Sequence, residues 1–131
     1  MPIGGFDHYN LRAPRPVLEE LRVFYRDVVG LSEGNRPPFR NFGYWLYTGD
    51  QAVLHLSEAS EGELRSGTAV NTFAHAAFNC SGRAELEARL KRLNVPYRTA
   101  QVPLLNLVQL FFHDPAGNGV ELQFDASEPA A

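Results

Sequence analysis

Phe73-Ala74-His75-Ala76-Ala77-Phe78 restates, 67 positions on, the pattern of Phe6-Asp7-His8-Tyr9-Asn10-Leu11. Each run is short and β-like, with an aromatic residue followed two places later by histidine. A second pair repeats the offset almost unchanged: His55 and Glu121 lie 66 positions apart, each in another β-like run. The chain therefore reads as one half-domain written twice, each half supplying two side chains able to bind a metal.

Working outward from these runs, both halves give the same order of elements. Val17 to Val28 places Leu18, Leu21, Phe24, Tyr25 and Val28 at helical spacing, and Arg83 to Leu93 does the same with Leu86, Leu90 and Leu93. Pro16 suits the first turn of the first helix, where its missing N–H costs nothing, and Gly30 suits its end. Ser81 is the expected N-cap of the second helix. Three strand-like runs follow each helix: Leu31–Asn35, Phe42–Thr48 and Ala52–Ser57, then Tyr97–Gln101, Leu105–His113 and Gly119–Phe124. Turns at Gly49-Asp50 and at residues 114–118 join the last two strands of each half. The expected fold is α+β, two βαβββ modules.

Strand parity decides which side chains share a face, because alternate residues point to opposite sides of a sheet. Phe6, Asn10 and Arg12 go with His8, and Phe73, Ala77 and Asn79 with His75. Val53 and Ser57 go with His55, and Gly119 and Gln123 with Glu121. The opposite face carries Leu54, Leu56, Phe78, Val120, Leu122 and Phe124, an apolar set fit to pack under the helices. Aligning the third strands of the halves sets Trp45 against Phe111 and Tyr47 against His113. Trp45, Tyr47, Gln109 and Phe111 are then expected to line a cavity with Asn10, Ser57, Asn79 and Gln123. Val108, Leu110 and Phe112 belong to the core. His113, beside the turn, is expected at the surface.

Composition narrows the function classes. At 131 residues the chain is one domain's worth, with module 1 at about 4–58, a linker at about 59–70, module 2 at about 71–125 and a mobile tail at 126–131. Net charge is −3, the pI is about 5.8, and no basic run offers phosphate neutralisation, which argues against nucleic acid. No apolar stretch approaches the roughly 20 residues of a membrane span. The N-terminus lacks the pattern of a secretory signal, and the single Cys80 excludes an intramolecular disulfide, so a cytoplasmic location is expected. The Arg36-Pro37-Pro38-Phe39-Arg40 stretch reads as a solvated loop, with a lid over a pocket as the functional alternative.

From Phe6 to Phe124 the chain resembles the vicinal oxygen chelate superfamily, which includes glyoxalase I, fosfomycin-resistance enzymes, methylmalonyl-CoA epimerase, extradiol dioxygenases and bleomycin-resistance proteins. The resemblance rests on Asp7-His8, on Phe24-Tyr25-Arg26-Asp27-Val28-Val29-Gly30-Leu31 and on Phe73-Ala74-His75. Its most distinctive mark is Asp114-Pro115-Ala116-Gly117-Asn118-Gly119-Val120-Glu121-Leu122. The resemblance implies a curved mixed sheet around a central cavity, helices on the outer face, and a divalent metal that activates a substrate through vicinal oxygens. It places His8, His75 and Glu121 at the metal-ligand positions of the first, fifth and eighth strands. His55 falls at the fourth-strand position, where glyoxalase I carries a glutamate or its equivalent. It also implies a homodimer, in which one chain's first module can complete a site with the other's second.

The chemistry of these residue types points the same way. Two imidazoles and a carboxylate leave open positions on a metal, which suits Fe(II), while a nitrogen-rich set also suits Zn(II), Ni(II), Co(II) or Mn(II). Glu121 can bind metal or act as a base beside it, and His55 can be a fourth ligand or move a proton. The imidazole at 55 removes the carboxylate pair of a glyoxalase I site. The expected function is a metal-dependent lyase, isomerase or extradiol-type dioxygenase acting on a small molecule. The alternative is a binding module that sequesters a small aromatic ligand without catalysis, as bleomycin-resistance proteins do.

Overall fold

The computed structural model describes residues 2–65, 67–68 and 71–131. The chain divides into two compact units, Met1–Gly67 and Thr68–Ala131.

The first unit runs β1 (Tyr9–Ala13), α1 (Arg15–Phe24), β2 (Ser32–Gly34), β3 (Gly43–Thr48) and β4 (Gln51–Glu58). Its sheet has the order β1-β4-β3-β2, with β1 parallel to β4 and the other pairs antiparallel. The second runs β5 (His75–Asn79), α2 (Arg83–Arg92), β6 (Arg98–Val102), β7 (Leu107–His113) and β8 (Gly119–Asp125), in the order β5-β8-β7-β6 with the same pattern of directions. Both are four-stranded mixed sheets of βαβββ form.

The duplication extends to residue register. Asn10 pairs with His55 across β1 and β4, and Ala77 pairs with Glu121 across β5 and β8. Trp45 faces His55 across β3 and β4, as Phe111 faces Glu121 across β7 and β8. The residues that repeat in sequence thus hold equivalent places in their sheets.

Burial follows the parity argument. Leu54, Leu56, Val108, Leu110, Phe112, Val120, Leu122 and Phe124 are buried, with Phe78 half-buried. In the first unit α1 packs on β4 through Leu18 and Leu21. Removing the apolar surface of such a side chain from water contributes about 1.5–3 kcal/mol.

The helices depart from expectation at their ends. α1 begins at Arg15 with Pro16 in its first turn, but the residues that continue it, Tyr25–Val29, are π-helical. The N–H groups of Gly30 and Leu31 both donate to the Tyr25 carbonyl, and Gly30 closes the turn at φ 98°, a conformation glycine adopts without steric cost. In α2 the cap is Gly82, and the Ser81 side chain does not cap it. The Glu128 carboxylate accepts from the Gly82 and Arg83 N–H groups at 2.7 and 3.1 Å instead, supplying the oxygen an N-cap side chain would. Leu93 lies beyond the helix and is 43% exposed, while Glu87 is buried. Glu87 accepts from Tyr97, Arg83 and the Ala131 N–H. The segment after β8, expected to be a mobile tail, is therefore tied to α2 at two points.

Candidate functional site

In the first unit, His8 stands one residue before β1 and His55 sits in the middle of β4. Their rings stack, centroids 3.7 Å apart and planes 14° from parallel. Trp45 covers the other face of His55 at 4.0 Å and 10°. The three rings make one column across three neighbouring parts of the unit. Asp7 anchors its outer end, with its carboxylate 2.6 Å from His8 Nδ1.

His55 is buried, and its Nε2 is enclosed without a hydrogen-bond partner. Burial holds its pKa below the usual histidine value, the nearby His8 ring pushes in the same direction, and a backbone hydrogen bond with Ala52 opposes them. Near neutral pH the imidazole is uncharged, the form that can ligate a metal or accept a proton.

These rings open on a cavity of about 650 Å³ lined also by Asn10, Arg12, Ser57, Arg36, Phe39 and Asn41. Ser57 donates to Asn10 Oδ1 at 2.8 Å and accepts from Arg12 at 3.3 Å. Arg12 is itself held by Glu63, which it meets at 2.8 Å. Tyr47 does not join the lining, contrary to expectation. Its ring lies over Gly34, where a Cβ would stand 2.6 Å from it, and its hydroxyl donates to the Asn35 carbonyl. The missing Gly34 side chain makes room for the Tyr47 ring across β2.

Arg36 and Phe39 come from the stretch read mainly as a solvated loop. The Arg36 guanidinium donates to the Asn41 carbonyl and side-chain oxygens at 2.9 and 3.2 Å and stands 4.9 Å from the Phe39 ring. Phe39 in turn lies 6.1 Å from Trp45. A loop residue has no periodicity to reveal its direction, and only the paired prolines hinted that this segment holds a fixed shape.

In the second unit, His75 Nε2 lies 3.3 Å from Glu121 Oε1. The Glu121 carboxylate is buried, and its other oxygen accepts from Gln109 Nε2 at 3.2 Å. Phe111 meets His75 edge to face at 5.9 Å, and the Arg98 guanidinium covers Phe111 at 4.2 Å. Gln123 donates to Asn79 at 2.5 Å on the same face. His113 is exposed at the end of β7.

The donor geometry differs between the units. Two ligands about 2.1 Å from one ion sit roughly 3.0–3.4 Å apart for bond angles between octahedral and tetrahedral. The 3.3 Å separation of His75 and Glu121 fits that span. Stacked imidazoles do not, because their lone pairs lie in the ring planes and run side by side. The first unit thus presents one histidine at a time toward a metal unless a ring turns. Among the described residues no group of three or more His, Cys, Asp or Glu side chains is close enough to hold a metal ion. No helix among them is long and apolar enough to cross a membrane.

No family model matches the chain. "Glyoxylase I 4" of Arabidopsis thaliana is 36% identical over 110 residues, 80% of this chain, and the chain spans only 63% of that relative's length. A putative glyoxalase family protein from Bacillus anthracis superposes with a TM-score of 0.72 at 25% identity, covering 94% of this chain and 96% of its own. A lactoylglutathione lyase from Agrobacterium tumefaciens gives 0.66 at 25% identity, covering 96% and 97%. With its two βαβββ units in matching register, the chain belongs to the vicinal oxygen chelate superfamily, among glyoxalase-like proteins.

Proposed function

We propose that this protein is a divalent-metal-dependent enzyme that acts on a small substrate held through neighbouring oxygens, as a lyase or isomerase. The observation that carries the reading is the His75–Glu121 pair, two donors 3.3 Å apart on a buried, Gln109-oriented carboxylate. Relatives described as a glyoxylase I and a lactoylglutathione lyase support an enzyme of this type. His75 and Glu121 would hold the metal together with His8, and the two pairs would be completed within one chain or across a homodimer. When bound, the metal supplies Lewis acidity toward the substrate oxygens.

The chain's own groups then divide the remaining work. Gln109 fixes the Glu121 carboxylate through one oxygen and leaves the other toward His75. Glu121 would also be placed to take a proton from a bound substrate. His55, kept neutral by burial and with no hydrogen-bond partner on Nε2, is the group we assign to accept a proton, which requires substrate binding to uncover that enclosed nitrogen; its stack with His8 and Trp45 fixes its ring. That role as proton acceptor fits the stacked ring better than service as a ligand beside His8. Trp45, Phe39 and Asn10 would bound a substrate in the first unit's cavity, while Asn79, Phe111 and Gln123 stand around His75 and Glu121 in the second unit's own sheet.

The reading is tested by stripping the protein with a chelator and assaying small α-hydroxycarbonyl and vicinal diol compounds before and after adding single divalent metals. Turnover restored by metal and lost in Glu121→Gln supports it. Saturable ligand binding unaffected by chelation, with no turnover, would support a sequestering protein instead.

A further inference from the structure

We propose that Arg36 recognises a carboxylate on the substrate, so that the pocket takes a small aromatic or apolar carboxylic acid. The proposal rests on the reading of the His8–His55 cavity as the substrate pocket. Most arginines of the described residues are spoken for: Arg12 and Arg65 by Glu63, Arg15 by Glu58, Arg22 by Glu19 and Glu33, Arg26 by Asp27, Arg83 by Glu87 and Arg89 by Glu85. Arg36 is a guanidinium with no carboxylate within ion-pair distance among the described residues, and it lines the cavity beside His55 and Trp45. Its charge reaches His55, where it disfavours the imidazolium.

The guanidinium is also positioned. Nη1 and Nη2 donate to the two oxygens of Asn41, which fixes the plane of the group through its outer edge. Nε, on the adjoining edge, is enclosed without a partner. A guanidinium binds a carboxylate through two neighbouring N–H groups, and the Nε–Nη2 edge is the one still unused. β3 is cut away to admit it: a Cβ at Gly43 would stand 3.0 Å from Nη2 and 2.1 Å from the Leu56 carbonyl. Nε is covered by protein here, so a carboxylate meets this edge first through Nη2 and reaches Nε as the covering side chains give way, which relieves the cost of an enclosed unpaired donor. Phe39 and Trp45 supply apolar walls beside the charge. A planar acid with its carboxylate on Arg36 and its hydrocarbon against these rings matches the lining.

Trp45 is the only tryptophan, so its emission reports on this pocket without labelling. Full-length protein is titrated with benzoate, with the neutral isostere benzamide and with inorganic phosphate, both metal-free and metal-loaded. Benzoate is expected to change Trp45 emission saturably and to bind about tenfold or more tighter than benzamide and phosphate. Arg36→Gln should abolish that preference, and Arg36→Lys, which keeps the charge without the fork, should restore only part of it. Equal affinity for benzoate and benzamide, tighter binding of phosphate, or an unchanged benzoate affinity in a folded Arg36→Gln protein would overturn the proposal. Metal affinity, measured separately on the same variants, should be unchanged. Loss of metal binding in the wild type with the benzoate preference intact would sink the metal reading and leave the carboxylate site standing.

Discussion

His55 lies between His8 and Trp45 as the middle ring of a column, 3.7 Å from one and 4.0 Å from the other. Its lone pair therefore runs parallel to that of His8, and only one of the two imidazoles can face a given metal as built. His8→Ala and His55→Gln should then differ. The first is expected to weaken divalent-metal binding by about a hundredfold or more, the second by about tenfold at most. Isothermal titration with Zn(II) or Mn(II) makes the comparison, and equal losses would require His55 to swing into the metal's coordination.

The same column gives a pH dependence. The folded-state pKa of His55 is held below about 6.5, its ordinary value, so the unfolded chain binds a proton more readily. The stability contributed by the neutral ring is fully present above pH 6.5 and is lost as pH falls through the lower folded pKa. Trp45 emission should therefore titrate with a midpoint below 6.5 in metal-free protein and lose that transition in His55→Gln. A midpoint at or above 6.5 would show that the ring is not desolvated.

Glu63 ties the segment after β4 to β1. Arg12 hydrogen-bonds it and holds its carboxyl near a pKa of about 2, well below the ordinary 4.5, so its contribution is present above pH 4.5 and lost as pH falls toward 2. Glu63→Gln is expected to flatten the acid limb of the stability profile, measured by urea denaturation at a series of pH values. An unchanged acid limb would mean that the pair is idle in solution.

Glu128 takes the place of an N-cap for α2. Replacing it with alanine removes the acceptor for two N–H groups and should cost about 0.5–2 kcal/mol by denaturant unfolding, whereas Ser81→Ala should cost almost nothing. The reverse ranking would restore the capping role that the sequence suggested for Ser81.

Cys80 is half-buried just past β5, and burial pushes its thiol up to about 11. At pH 8 very little of it is thiolate, so modification by iodoacetamide should be much slower in the native protein than in denaturant. Rapid native labelling would mean that this end of β5 opens readily.

How much of this was legible in the sequence divides along physical lines. The repeat of His8 with His75 and His55 with Glu121 marked out the two βαβββ halves, and period-two burial fixed which face of each strand is core, with Leu54, Leu56, Val120 and Leu122 inside together. The equivalence of Trp45 and Phe111 followed from aligning the halves, but their cross-strand partners, His55 and Glu121, depend on a register that parity alone does not give. Tyr47 obeys the parity yet leaves the cavity, since Gly34 offers its ring a better place, and a missing side chain on a neighbouring strand has no local signature. Arg36 and Glu128 were missed for a related reason. Each acts across a long loop or from a chain end, where no periodicity marks the direction of a side chain.

The proposed metal site, with His75 and Glu121 as its paired ligands, is tested most directly by measuring metal bound to the full-length chain. Inductively coupled plasma analysis after dialysis against a divalent metal should find one ion per chain. His75→Ala and Glu121→Ala should each lower the affinity about a hundredfold or more while the protein stays folded. A wild-type chain with no stoichiometric metal, or an affinity that survives His8→Ala combined with His75→Ala, would contradict the account.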